Sequence, residues 1–390
     1  MILGGTITAR AATATHWDAI VVGAGPAGAF AARKLTRAGA RVLLLDRQAF
    51  PREKICGGCL NRRTLSLLRV SGLGQLPLAL GGQPLVAFEL RTGAPPVTVA
   101  LPEGIGVSRA ALDAALVKAA AEAGAHFLPG VRALLGDCDL TRRQIELPDR
   151  GLRLVARVVL CADGIHGSFL TGEHRSRARP KTASRLGAGV VVRAAQVERP
   201  AAFRPGVIHM AVDRTGYVGA VRLENGRLGA AAALAPAAVR EHGLARAANR
   251  ILECRGLPPI HCLDAKWKGT GALTRQAPRV ALERVFTIGD AAGYVEPFTG
   301  EGISWALETA DGVRDIALEA IREWRPELEL DWARTYRRRI VQRQRWCRSM
   351  AWSLRRPAMM RIAARLVRRS PRIASPLLAH LNAVPLGDRP

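Results

Sequence analysis

Three glycines, Gly23, Gly25 and Gly28, sit at Gly-x-Gly-x-x-Gly spacing in the run Asp18-Ala-Ile-Val-Val-Gly-Ala-Gly-Pro-Ala-Gly28, and an acid, Asp46, follows. That spacing suits the binding of a dinucleotide. Gly23 permits a tight turn after an apolar strand. Gly25 lets the backbone approach a pyrophosphate, and Gly28 lets the next helix pack on the sheet. The N–H groups and positive dipole end of that helix then face the phosphates. Asp46 is placed to accept from ribose hydroxyls.

Two distant segments repeat the logic of a buried strand that delivers a carboxylate. One is Val159-Leu-Cys161-Ala162-Asp163-Gly164-Ile-His166-Gly167-Ser168, and the other is Phe286-Thr-Ile-Gly289-Asp290-Ala-Ala-Gly293. The run Pro297-Phe-Thr-Gly300-Glu301-Gly302-Ile303 opens a helix. In open α/β sheets, ligands bind at the carboxyl ends of the strands. Asp290 can accept from a polyol hydroxyl there. The free N–H groups of Gly302 and Ile303 can stabilise negative charge. A fourth group, Cys56-Gly57-Gly58-Cys59, has three readings. A zinc knuckle needs a second pair, and Cys254 and Cys262 lack the spacing. A thioredoxin-like redox pair is the second, and a close-packed loop is the third.

The elements that must position these groups follow from pattern. Strands are expected over Ala19–Val22 and Arg41–Leu45, with a helix from Pro26 to about Ala38 between them. Asn61–Leu68 reads as helical. Ser108 caps a helix over Val107–Ala123 that Gly124 ends. Strands are expected at Ala125–Leu128, Val131–Leu135 and Arg153–Cys161. From Thr182 to Leu234 the pattern alternates, with turns such as Glu224-Asn225-Gly226, and predicts an antiparallel sheet. Val285–Ile288 returns to a buried strand, and Gly302–Ala320 is a long helix. The fold class is therefore α/β with an α+β insert.

At 390 residues and 48% apolar content, the chain has the length for a large core. No apolar run reaches the roughly 18 to 20 residues of a membrane span. The first seventeen residues do not read as a signal peptide, so a cytoplasmic location is expected. Seven cysteines, an odd number, read as reduced thiols. Half of the net charge of +26 lies between Asp331 and Pro390, which hold 15 arginines and two acids.

Together, the glycine fingerprint, the Asp163-Gly164 segment and the Gly289-Asp290 segment resemble the flavoproteins shaped like para-hydroxybenzoate hydroxylase. The loop Phe50-Pro-Arg52-Glu-Lys54-Ile-Cys56-Gly57-Gly58 and the helix start Val107-Ser-Arg109-Ala-Ala-Leu112-Asp113 are similar to the geranylgeranyl reductase-like branch. The resemblance covers about residues 16 to 320. It implies a Rossmann-like FAD-binding domain over 16–180 and 276–325 and an inserted antiparallel-sheet substrate domain over 181–275, and the arginine-rich pattern adds a basic helical C-terminal region over 326–390. It also implies residue roles. Gly23, Gly25, Ala27 and Gly28 lie under the pyrophosphate, and Asp46 bonds the adenosine ribose. Gly57 and Gly58 let the loop pass the flavin. Arg109 supports the cofactor, and Val131 meets the adenine by its backbone. Asp290 serves the ribityl or pyrophosphate region, and Gly302 and Ile303 face the O2 side of the ring. Asp163 is a ligand group or a turn cap. Cys56 is the candidate catalytic residue, a proton donor in alkene reduction. His166 and His209 read as local hydrogen-bonders.

The chain departs from the branch where an aromatic-rich stretch is expected: Tyr217-Val-Gly219-Ala-Val-Arg222 has Gly219 and Arg222 at the Trp and Pro positions. That departure suggests a more polar substrate. A second departure is Cys59, where a third glycine is expected. No second Gly-x-Gly-x-x-Gly is present, so NADPH or NADH visits transiently, or a carrier protein donates electrons. Asp331–Leu354 reads as a helix with arginines between apolar positions, Pro357 breaks it, and Met359–Val367 forms another. These helices either pack across the substrate domain or meet an anionic membrane surface. No nucleic-acid module accompanies the charge. The expected function is an FAD-dependent oxidoreductase that reduces C=C bonds of an isoprenoid or other hydrophobic substrate. The alternatives are a flavin monooxygenase acting on an aromatic or polyketide-like ring, and a basic membrane- or nucleic-acid-binding protein with structural flavin.

Overall fold

β1 (Trp17–Val22) and β2 (Val42–Asp46) are apolar runs buried on both faces, as central parallel strands covered by helices must be. α1 (Pro26–Arg37) joins them with proline at its start and buries Ala27, Ala29, Phe30, Ala31, Ala32 and Leu35. The computed structural model describes residues 3–170, 184–261, 266–277, 279–296, 298, 300–353 and 356–370. Thr182, Cys262, Pro297, Thr299, Leu354 and 371–390 lie outside the described residues.

β3 (Ala87–Arg91) and β4 (Val97–Ala100) leave the first sheet for a second one. α2 (Arg109–Glu122) starts where Ser108 Oγ accepts from the Ala111 N–H. It returns the chain to β5 (His126–Pro129), parallel to β2. A meander of β6 (Leu134–Cys138), β7 (Arg143–Leu147) and β8 (Leu152–Cys161) brings β8 alongside β1. The second sheet gathers β9 (Leu186–Arg193), β10 (Val207–Asp213), β11 (Gly216–Arg222) and β12 (Arg227–Leu234). α3 (Pro236–Glu253) covers one face, where Ala248, Ile251 and Leu252 share a core with Val218, Ala230 and Leu234. β13 (Lys268–Ala272) edges the sheet, whose order is β13-β9-β12-β11-β10-β3-β4.

β14 (Val285–Thr287) rejoins the first sheet, giving the order β14-β8-β1-β2-β5. α4 (Gly302–Arg322) packs against α1. α5 (Glu327–Tyr336), a π turn over Arg337–Val341 and α6 (Gln342–Ser353) continue the chain, and α7 (Pro357–Arg369) follows. Among the described residues no helix is long and apolar enough to cross a membrane.

Four expectations need correction. The strand expected at Val131–Leu135 lies instead at Leu134–Cys138. The Val131 N–H bonds the Asp46 carbonyl at the end of β2 (3.0 Å), and pairing with β7 begins only at Leu134. Residues 87–100 fall inside the segment read as 16–180, yet their strands belong to the second sheet. The helix expected from Asp331 starts at Glu327 and is interrupted by the π turn. The C-terminal helices do not simply cross the substrate sheet. Trp332 Nε1 donates to the Thr287 carbonyl (3.1 Å), Tyr336 to Ala292 (3.1 Å) and Gln344 to Gly293 (3.4 Å), so α5 and α6 seat on the segment after β14. α7 reaches β4.

Candidate active site

The glycines of the fingerprint have unequal jobs. Gly23 ends β1 at φ +103°, and a Cβ there would lie 2.3 Å from the Ala162 carbonyl oxygen. A Cβ on Gly28 would lie 1.8 Å from the Gly23 carbonyl oxygen, so α1 and the turn meet backbone to backbone. Gly25 is different. The atoms nearest a Cβ built there are the guanidinium nitrogens of Arg52 (3.6 Å) and Arg109 (3.8 Å). A helix start beside two cations is an anion site.

Asp46 organises that site from the end of β2. Its carboxylate accepts from the Ala24 N–H (2.8 Å) and the Gln48 N–H (2.9 Å), and it pairs with Arg52 (3.3 Å). Fully buried Asp113, on α2, holds Arg109 in a fork (2.7 and 2.9 Å) and stands 3.1 Å from Arg52. Burial works to lower the Arg109 guanidinium, but Asp113 outweighs it and holds Arg109 charged. Burial, then Arg52, Arg109 and Arg47, lower the Lys54 ammonium. Four cations thus face two committed carboxylates. The surplus positive charge, the open Gly25 and the helix start fit a pyrophosphate.

On the far side, Gly302 and Ile303 begin α4 and carry N–H groups with no partner inside the helix. Asp290 follows β14, and its carboxylate has no hydrogen-bond partner among the described residues. Burial raises it to about 6, against the pull of Arg109 and Lys54. The Cys56–Cys59 loop passes between these groups. A Cβ on Gly58 would lie 2.8 Å from the Val107 carbonyl, whereas one on Gly57 would meet nothing within 4 Å.

Gly23, Gly25, Asp46, Arg52, Lys54, Arg109, Asp290, Gly302, Ile303 and the Cys56–Cys59 loop line one cavity of about 870 Å³ that continues onto the second sheet. There its wall is apolar: Phe88, Leu90, Val97, Val99, Met210 and Tyr217 face it. Phe298 meets Phe88 and Tyr217 edge-on at 5.9 and 5.1 Å. Met350 and Ser353 of α6 and Met359 and Val367 of α7 complete the lining. Arg222 does not make it polar. Its guanidinium donates to the carbonyls of Phe203 (2.8 Å) and Pro200 (2.6 Å), and it is absent from the cavity wall.

Gly23, Gly25, Ala27, Asp46, Cys56, Gly57, Gly58, Arg109, Val131, Asp290, Gly302 and Ile303 come together in this wall. Gly28 lies beneath it. Val131 has only its carbonyl to offer, because its N–H is taken by Asp46. Asp163 caps its own turn, accepting from the Phe169 N–H (2.9 Å) and the Cys161 thiol (3.3 Å). His166 pairs with Thr270 (2.5 Å), and His209 with Glu89 (3.0 Å). Among the described residues no group of three His, Cys, Asp or Glu can hold a metal. Arg47, Arg52 and Lys54 went unread as site residues. Their signal was the clustering of cations just after the acid that closes β2.

The family described as FAD binding domain matches residues 16–345. This chain belongs to it. FAD is therefore the dinucleotide to which the cradle corresponds, and it supplies reversible two-electron transfer when bound. The chain is 35% identical to menaquinone reductase of Mycobacterium tuberculosis over 152 residues, 38% of this chain and 37% of that one. It thus spans well under half of that relative. It is 29% identical to digeranylgeranylglycerophospholipid reductase 2 of Methanothermobacter thermautotrophicus over 79% of this chain and 80% of that one. It is 27% identical to rifampicin monooxygenase of Rhodococcus hoagii, covering 83% and 68%. Among solved structures, a triple mutant of the flavin-dependent brominase Bmp2 superposes with a TM-score of 0.74 at 14% identity, covering 94% of this chain and 96% of that one. That likeness concerns the fold of this FAD-binding protein alone.

Proposed function

We propose that the protein is an FAD-dependent oxidoreductase that reduces a C=C bond of an isoprenoid or other hydrophobic substrate. The observation that carries this reading is the single cavity in which the dinucleotide cradle opens onto an apolar chamber. Two relatives named as reductases of a menaquinone and of a digeranylgeranylglycerophospholipid support it.

In this reading Gly23, Gly25, Ala27 and Gly28 carry the pyrophosphate, with Arg52 and Arg109 as its counter-charges. Asp46 serves the adenosine ribose, the Val131 carbonyl the adenine, and Asp290 the ribityl hydroxyls. Gly57 and Gly58 keep the loop close to the ring, and the N–H groups of Gly302 and Ile303 offset its negative charge after reduction. Hydride delivered to one alkene carbon leaves its neighbour in need of a proton. The Cys56 thiol lines the cavity between cradle and chamber and supplies it. Phe88, Met210, Tyr217 and Phe298 exclude water from the substrate. NADPH or NADH, without a second fingerprint to hold it, visits from solution. Exposed Met359, Ile362 and Leu366 on α7, with Arg365, Arg368 and Arg369, favour a peripheral approach to an anionic lipid surface.

A second reading, a monooxygenase, is favoured by the 27% identity to rifampicin monooxygenase over 83% of the chain. Anaerobic reduction separates the two. The expected result is reduced flavin that stays bleached until an unsaturated prenyl lipid is added, with a product heavier by about 2 Da, one added hydride and proton. Reoxidation by air that an aromatic substrate accelerates, with oxygen in the product, would replace the first reading with the second.

A further inference from the structure

Cys59 has no part in the reaction above, yet it shares a loop and a cavity with Cys56. Both thiols are free, and both face the space that Gly302 and Ile303 also line. The loop between them folds back on itself. Gly58 is at φ +69°, where glycine turns the chain without strain. Its N–H donates to the Cys56 sulfur at 3.4 Å, and the Cys59 thiol donates to the Gly57 carbonyl at 3.4 Å. Each sulfur is therefore directed onto the two-residue turn that separates it from the other. The turn is also held from outside. Val107 packs against Gly58, and Cys59 pairs with Gly106 as the first residue of a short strand.

The two sulfurs differ in setting. Burial, and then Cys56 itself, pushes the Cys59 thiol up to about 12. Cys56 is the sulfur within electrostatic reach of the Arg109 guanidinium. Reduced flavin also needs a source of electrons, and the sequence carries one dinucleotide fingerprint and no second.

We propose that Cys56 and Cys59 form a redox-active dithiol that exchanges two electrons and two protons with the flavin site. In the forward direction both S–H bonds break and one S–S bond forms. The two electrons and two protons released are taken up by oxidised flavin. An external dithiol, such as a small dithiol protein, then reopens the disulfide by thiol–disulfide exchange and is itself oxidised. The inference rests on the chain holding FAD and is independent of the substrate. It also adds a consequence to the reaction proposed above: only the dithiol form carries the Cys56 proton.

The test is an anaerobic reductive titration of the holoenzyme after treatment with diamide and its removal. The wild type takes up about four electrons per flavin, about two for the ring and about two for the disulfide. Cys59→Ser takes up about two, and Cys254→Ser, which removes an exposed thiol, still takes up about four. Dithiothreitol bleaches the flavin of the wild type roughly tenfold faster than that of Cys59→Ser. After diamide, the peptide holding both cysteines is lighter by about 2 Da, two hydrogens, and resists alkylation. Uptake of about two electrons with both cysteines alkylated overturns the proposal. So does a disulfide that forms without speeding flavin reduction. The peptide measurement needs no flavin, so a colourless protein that still closes its disulfide identifies a failure of the FAD reading instead.

Discussion

Asp290 makes the site sensitive to pH. Burial raises its carboxyl to about 6, and Arg109 and Lys54 only partly oppose this. The native state of the flavin-free protein holds this proton more tightly than the unfolded chain does. The stability it contributes is present at low pH and is lost as pH rises from roughly 4 toward 6. Asp290→Asn removes that loss. Thermal unfolding of the flavin-free proteins across this range therefore shows the variant gaining on the wild type as pH rises, and a constant gap between them would refute the assignment. The residues that do this work were legible where chemistry fixes their spacing. Gly23, Gly25, Gly28 and Asp46 could be read because a turn, a close approach and a strand end each demand one residue type. Arg52 could not, because its place beside Gly25 depends on a loop path that returns to Asp46 and on Asp113 arriving from α2. The same holds for Arg222, whose charge suggests a polar chamber but whose guanidinium is taken up by the Phe203 and Pro200 carbonyls.

At the scale of elements, α5 and α6 brace the segment that follows β14. Trp332 is almost wholly buried and bonds the Thr287 carbonyl at the end of β14. The Cys347 thiol donates to Glu301 (2.7 Å), the residue just before α4. Burial raises Glu301, and Cys347, Arg343 and Arg63 pull it back. Trp332→Ala removes a large buried side chain and costs about 3–5 kcal/mol. Chemical denaturation measures that loss, and flavin fluorescence on the same samples shows weaker FAD retention, because the Thr287–Gly293 backbone loses its brace. A loss under about 1 kcal/mol would mean the helices are ornamental to this segment. The helices and central strands were legible from period and caps, as Ser108 shows. The π turn was not, since nothing in Arg337-Arg-Arg-Ile-Val341 announces an extra residue per turn.

For the whole molecule, charge and shape point the same way. The chain carries +26, and its C-terminal part holds half of it. Trp346 and Trp352 are exposed on α6, and Met359, Ile362 and Leu366 on α7. Met359 and Val367 also line the cavity. The protein is expected to co-sediment with vesicles containing anionic lipid, to leave neutral vesicles alone, and to be released by salt as screening shortens to about 3 Å near 1 M. Replacing Met359, Ile362 and Leu366 with serine weakens that binding while flavin content stays unchanged. Equal binding to neutral vesicles, or none to either, would remove the membrane from the account.

The parallel pairing of β3 with β10 has a consequence for how the chain comes to exist. The β3–β4 hairpin emerges during synthesis on the order of a hundred residues before the strand that completes its edge, a long wait for a non-local partner. Until then its open hydrogen-bonding rim invites the wrong neighbour. Fragments that stop short of β10 should therefore aggregate rather than yield a working nucleotide-binding half. The two sheets are stitched together by the order of manufacture, and no single cut in the gene separates them.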